Sequence, residues 1–361
     1  MRCRIVFTAL LFLLACCPAP AQTVYPTGRA LVQALPGAVR VTPIHYHGWR
    51  DALKLSNGVV DVVVVPQIGR ILAFQYCGQP QTNPLYENPD WRGKTIADTD
   101  PTNWANFGGD KAWPAPQSDW PLHALRAWPP EQVLDGAPQI AQIIPNGVRL
   151  VTADSPSFAC RIRRTLTLRP GEARLYVAQT LEKDPDAAGP RAGFTIGLWS
   201  VTQTRTDGSV YLPIVPGAAV HASDFTLPAT PLTNLGPFVA RQGGFLRLRR
   251  DPNASHKYGV EPRAGWLALR FGPALLFSLH FPYPVTGARA PIDTPVEVYT
   301  NPGAANYLEM EMLGPVQPLG KGASLSYNVW WELTRLPSPD TSPQGEAAQV
   351  EAAMTRDNPA P

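Results

Sequence analysis

Residues 55–76 read LSNGVVDVVVVPQIGRILAFQY. Asn57-Gly58 is a strong hairpin signal, because the tight two-residue turn needs φ > 0 at both central positions. It joins a strand over Ala52–Ser56 to one over Val59–Pro66, whose VVDVVVV run is rich in β-branched side chains. Gln67-Ile68-Gly69-Arg70 then turns into a third strand, Ile71–Cys77. Outside this stretch the composition agrees. The chain has 361 residues, with 44% hydrophobic and 16% charged content. That supports a sizeable core and excludes a disordered, highly charged class. Proline is 41 of 361, about twice the usual ~5%, which limits long helices and favours short strands joined by stiff turns.

Working outward, Val39–Tyr46 is a first strand, and Pro145-Asn146-Gly147 makes a hairpin between Gln139–Ile144 and Val148–Ala153. Phe158–Leu168, Arg174–Lys183, Ala192–Gln203, Phe245–Arg250, Gly265–Phe271 and Ala274–Phe281 read as further strands. Residues 212–237 are irregular and proline-rich. Two late strands alternate strictly. In Tyr307–Leu313, Leu308, Met310 and Met312 share one face, and Tyr307, Glu309 and Glu311 share the other. In Ala323–Leu333, Leu325, Tyr327, Val329, Trp331 and Leu333 oppose Trp330 and Glu332. With no long helix and no fixed-period repeat, the pattern is all-β, an antiparallel sandwich or barrel.

The stretch Trp104–Trp120, WANFGGDKAWPAPQSDW, has neither a period of two nor of 3.6, so it reads as an ordered loop. Its rings beside Asn106, Asp110, Lys111 and Gln117 suit a sugar, which has a C–H face and a rim of hydroxyls. The alternative is a tryptophan plug closing a β-core. Glu309 and Glu311, ~6.5–7 Å apart on one strand face, would raise one another's pKa if desolvated. Either they line a cleft with that loop, or they face solvent. The geometry expected of a cleft puts the Lys111 ammonium beside one of them, together with Asn106, Asp110 and Gln117.

Two strings carry a resemblance. LSNGVVDVVVVPQIGRILAFQY resembles the opening hairpin of the galactose mutarotase (aldose 1-epimerase) superfamily, where a strand ending near proline turns through a Gly-Arg element. Together with NFGGDKAWPAPQ (Asn106–Gln117), it is similar to an uncharacterised bacterial family with an NFGGDK-x-W-PAPQ motif. The resemblance runs from about Leu53 to Leu336. It implies an antiparallel β super-sandwich, a saccharide ligand and an isomerase chemistry, in which a late-strand glutamate is the base and a histidine the acid. Glu309 or Glu311 stands in the base context. His280 is the candidate acid, with His123 and His256 behind it, and Lys111 is a further catalytic candidate. Arg70, Asn106, Asp110, Trp113, Gln117 and Trp330 are the substrate-binding candidates. The superfamily's characteristic histidine motif is not found, and Asp110-Lys111 has no counterpart there. Two functions therefore stay open: a sugar epimerase or mutarotase, and a non-catalytic saccharide-binding protein of the cell envelope.

The N-terminus reads as a secretion signal over residues 1–21. Arg2 and Arg4 precede an apolar run from Ile5 to Ala15, and Ala19-Pro20-Ala21 is a cleavage site. Leu13-Leu14-Ala15-Cys16 also resembles a lipoprotein box, so a lipid on Cys16 would be the only membrane attachment. Residues 22–38 form an N-terminal segment, 39–336 the β-domain and 337–361 a flexible tail, with at most a short helix between Gln344 and Met354. The location expected is the periplasm or envelope of a bacterium. Without Arg2 and Arg4 the chain has 29 basic and 28 acidic residues and no basic patch, which gives no case for nucleic acid. There is no GxGxxG after a strand and no P-loop, so no nucleotide cofactor is expected. His45 and His47 could start a metal site, but no third ligand has the spacing, and no metal is expected. Cys77 and Cys160 could form a disulfide or stay as buried thiols.

Overall fold

The computed structural model describes residues 38–98, 104–123, 128–223, 230–232, 234–283, 294–337 and 342–356. Residues 1–21, read above as a secretion signal, with Cys16 and Ala21, lie outside them. The valine-rich strands pair as a hairpin, in whose turn Gly58 alone, at φ 83°, takes a positive φ and Asn57 does not. Trp49–Ser56 runs antiparallel to Val60–Val65, with Ser56 opposite Asp61. Asn57 Oδ1 accepts from the amides of Val59 and Val60 at 3.0 and 2.9 Å and closes the turn. Val60–Val65 pairs in turn with Arg70–Tyr76. Between them Pro66–Ile68 is one 3-10 turn ended by Gly69 at φ 62°.

Two large antiparallel sheets result. The first runs in the spatial order Arg40–Tyr46, Trp49–Ser56, Val60–Val65, Arg70–Tyr76, Asp110–Ala115, Gly193–Thr204, Leu308–Leu313, Val296–Thr300, His256–Val260, Val220–Ser223 and Thr230–Pro231, with Gln317–Gly320 added beside the start of Gly193–Thr204. The second runs Val239–Gln242, Phe245–Leu248, Gly208–Pro213, Trp266–Phe271, Leu275–His280, Val329–Arg335, Arg174–Lys183, Cys160–Leu168, Gly147–Val151 and Ile140–Ile144, with Ser324–Ser326 beside Arg174–Lys183. They pack face to face. Phe74 of the first meets Phe277 and Trp331 of the second at 6.1 and 5.9 Å between ring centroids. Met310 and Met312 turn into the core, fully buried, and Val329, Trp331 and Leu333 join them as the alternation requires. Each such side chain contributes about 1.5–3 kcal/mol by leaving water.

The interlayer also holds charge. Arg164 of the second sheet donates to Asp110 of the first, and Thr202 Oγ1 donates to Asp110 Oδ2 at 2.7 Å. Beside them Gln179 Nε2 donates to Ser200 Oγ at 2.7 Å. Buried charges persist only when paired in this way.

Three expectations need correction. The tryptophan-rich stretch is not all loop, because Asp110–Ala115 is a strand inside the first sheet. Its period of two is masked because each face mixes charged and apolar side chains, Asp110 and Ala112 toward the core and Lys111 and Trp113 toward the opposite side. The tail carries the helix expected between Gln344 and Met354, over Pro343–Arg356, but that helix is packed rather than flexible. It docks Ala347 and Val350 against Tyr211, Phe245 and Leu276 on the outer face of the second sheet, and Tyr211 Oη donates to Glu346 at 2.7 Å. His45 and His47 do not share a strand face, because His47 sits in a turn at φ 45° and its Nδ1 pairs with Glu87 at 2.7 Å. Cys77 and Cys160 are free thiols, and burial pushes Cys160 up to about 12.

Candidate functional site

The site grows from three adjacent strands of the first sheet: Asp110–Ala115, Gly193–Thr204 and Leu308–Leu313. Gly109 admits the first of them. It sits at φ 70°, and a Cβ there would run into the Ile71 carbonyl oxygen. In the pairing Lys111 stands opposite Val201 and Val201 opposite Glu311, while Trp113 stands opposite Trp199 and Gln203 opposite Glu309. The register continues through Glu297 opposite Glu311, Tyr299 opposite Glu309 and Lys257 opposite Tyr299. Directly opposed side chains share a face. Asp110, Met310 and Met312 point to the second sheet, so this charged set projects from the other side of the first.

Its members bond to one another. Lys111 Nζ donates to Glu309 Oε1 at 3.1 Å, and Gln203 Nε2 donates to the same oxygen at 2.9 Å. Lys257 Nζ donates to Glu311 Oε2 at 2.9 Å and lies 3.2 Å from Glu297 Oε2. Trp199 Nε1 donates to Glu311 Oε2 at 2.8 Å. Each ammonium rests over an indole, Lys111 4.7 Å from the Trp113 ring and Lys257 4.2 Å from the Trp199 ring. The two indoles lie 5.2 Å apart and form the floor.

Three carboxylates thus face two ammoniums. Burial pushes Glu311 up to about 8, with Glu297 and Glu309 adding to the rise and Lys257 opposing it. Glu311 therefore keeps its proton to a higher pH than an ordinary carboxyl does. Burial pulls the Lys257 ammonium down, but the carboxylates of Glu311 and Glu297 outweigh it and hold it charged. Glu309 is the most open of the three carboxylates, its side chain 10% exposed against 2% and 0% for Glu297 and Glu311. Tyrosines surround it: Tyr307 packs against Tyr86 and Tyr299 at 5.3 and 6.1 Å.

A second hub braces the tryptophans. Asp135, on the short helix Gln132–Asp135, accepts from Trp113 Nε1 and Trp104 Nε1 at 3.0 Å each and from Arg70 at 2.7 Å.

The structure puts Glu309 and Glu311 on one face, as the alternation required, brings Lys111 to them through the order of strands, and separates other candidates. Asp110 is on the opposite face of its strand, held by Arg164. Arg70 is 1% exposed and engaged by Asp135, so it supports the site from behind. Trp113 is 2% exposed and serves as floor. Asn106 is half-buried and accepts from the Gly108 amide at 3.3 Å, while Gln117 is half-buried in the 3-10 turn after Ala115. His280 and Trp330 belong to the second sheet, one residue out of phase with its core-facing Leu279 and Trp331, and stack on each other at 4.7 Å. They lie on the far side of the sandwich from Glu309. Burial, with Arg174 nearby, pushes His280 down to about 3, so it is neutral. His123 packs on Phe194 at 4.4 Å, and His256 alternates with Lys257 and so leaves the strand on the other face. The register does bring one histidine to the site's face: His221 stands opposite Gly259, which stands opposite Glu297.

Sequence reasoning missed Lys257, Glu297, Gln203, Trp199 and Asp135. The alternation of Val296–Thr300, VEVYT, carried a signal for Glu297 and Tyr299. Nothing local marked Asp135.

A family model described as a domain of unknown function, DUF4380, matches residues 51–334. The chain belongs to the DUF4380 family. The match takes in every residue of the cluster and both sheets apart from the edge strand Arg40–Tyr46 and a few terminal strand residues. No curated protein matches the sequence. Among solved structures, this DUF4380 chain is similar to the galactose mutarotase related enzyme of Lactobacillus acidophilus, with 10% identity, 80% of this chain and 99% of that one covered, and a TM-score of 0.51. It is also similar to a galactose mutarotase-like protein of Lactobacillus casei ATCC 334, with 10% identity, 78% and 100% covered, and a TM-score of 0.50. A TPR-domain containing protein from Parabacteroides distasonis aligns with 12% identity and a TM-score of 0.51 over 78% of this chain, which spans 47% of that protein. These likenesses establish the mutarotase-like β-sandwich fold.

Proposed function

We propose that this DUF4380 protein binds a saccharide over Lys111 and Glu309 and isomerises it at the anomeric carbon. The single observation behind this reading is the Lys111–Glu309 pair, 3.1 Å apart on an indole floor, with Glu309 the carboxylate nearest to solvent. Glu309 would take the proton of the anomeric hydroxyl while Lys111 gives one to the ring oxygen. The bond from the anomeric carbon to that oxygen breaks, and an open-chain aldehyde forms. Reclosure on the other face of the carbonyl returns both protons. Asn106 and Gln117 stand as hydrogen-bonding candidates at the edge. Export by residues 1–21, with a lipid on Cys16 or cleavage after Ala21, would place this activity in the envelope.

One feature favours a binding-only role. The acid and the base are in contact with each other, so a ligand must part them before either can act. One-dimensional NMR of anomeric exchange on a monosaccharide panel separates the readings. For an enzyme, Glu309→Gln abolishes exchange while binding persists. For a binding protein, the wild-type chain binds without speeding exchange. Absence of binding to any sugar of the panel refutes both.

A further inference from the structure

We infer that a second sugar subsite lies at Trp128, beside the Lys111–Glu309 site, so that the ligand is an oligosaccharide or a glycan chain; this rests on the saccharide reading of the Lys111–Glu309 site. Trp128 is 46% exposed, although tryptophan is a residue that proteins ordinarily keep largely covered. Its position is fixed by neighbours. It meets Trp104 at 5.0 Å and Trp113 at 6.2 Å, with ring planes at 68° and 80°. Both contacts are edge-to-face rather than stacked, and close to half of the Trp128 surface stays open to a ligand.

The same two neighbours belong to the site. Lys111 Nζ lies 5.5 Å from the Trp104 ring and 4.7 Å from the Trp113 ring. Trp128 and the Lys111 ammonium thus share two ring neighbours, Trp104 and Trp113. Asp135 holds Trp104 and Trp113 by their indole nitrogens, so the aromatic row is preorganised and little ordering is needed on binding. A lone sugar over Glu309 has no use for Trp128. A chain of sugars does, because each ring offers a C–H face to a stacking platform.

The test compares glucose, galactose, mannose and N-acetylglucosamine with their α- and β-linked homotrimers, by calorimetry on the full chain and on Trp128→Ala and Trp128→Phe. The expected result is a trimer that binds at least about tenfold tighter than its monomer, a gain that Trp128→Ala removes and Trp128→Phe largely keeps. Monomer affinity should change less than about twofold in either variant. The inference is overturned if monomer and trimer bind alike, or if Trp128→Ala leaves the trimer's gain intact. It is equally overturned if sedimentation shows a wild-type dimer that Trp128→Ala dissociates, since the exposed ring would then be a contact between copies of the chain. If no sugar of the panel binds at all, the saccharide reading of the site itself fails.

Discussion

Glu311→Gln tests the electrostatics of the buried cluster. Glu311 is pushed up from its ordinary 4.5 to about 8, first by burial and then by Glu297 and Glu309 against the pull of Lys257. Between those values the folded chain keeps a proton that the unfolded chain has released. The sign follows directly. A carboxyl raised in the folded state costs no stability below pH 4.5, and its penalty grows as pH rises toward 8. The slope is about 1.4 kcal/mol lost per pH unit. Glutamine mimics the proton-bearing form, and its carbonyl can accept from Trp199 Nε1 and Lys257 Nζ as Glu311 Oε2 does at 2.8 and 2.9 Å. At pH 5 the variant should match the wild type within about 1 kcal/mol. At pH 7 it should be the more stable of the two by about 2–3 kcal/mol, since it has no proton to lose. Urea denaturation of both proteins at pH 5, 6, 7 and 8 and fixed ionic strength gives the difference. Parallel curves would refute the reasoning. So would a variant that grows weaker toward pH 8, because Glu311 would then be the ionised partner of Lys257.

Two further outcomes concern the floor and its brace. Trp113→Ala should cost about 3–5 kcal/mol in urea unfolding, because the ring is buried between Trp120 and Trp199 at 5.7 and 5.2 Å. Asp135→Ala leaves Arg70 buried without its carboxylate and releases Trp104 and Trp113, so it should cost about 3–5 kcal/mol and alter the near-ultraviolet circular dichroism of the tryptophans. Unchanged spectra there would show that the aromatic row stands without its brace.

What the sequence determined by itself was local. Asn57-Gly58 and the valine run specified a hairpin, because turn dihedrals and β-branching act within a few residues. Strict alternation in Leu308–Leu313 set the methionines against the glutamates, because a pleated strand has a period of two wherever it pairs. Tertiary structure decided which strands became neighbours. Lys111 and Glu309 are 198 positions apart, and only the order of strands in the first sheet brings them to 3.1 Å. The same order carried Lys257 and Glu297 to Glu311 and left His280 on the other sheet. It also hid the strand Asp110–Ala115. Each of its faces mixes charge with apolar bulk, Asp110 beside Ala112 and Lys111 beside Trp113, so its own residues resembled a loop until two sheets and a brace closed around them.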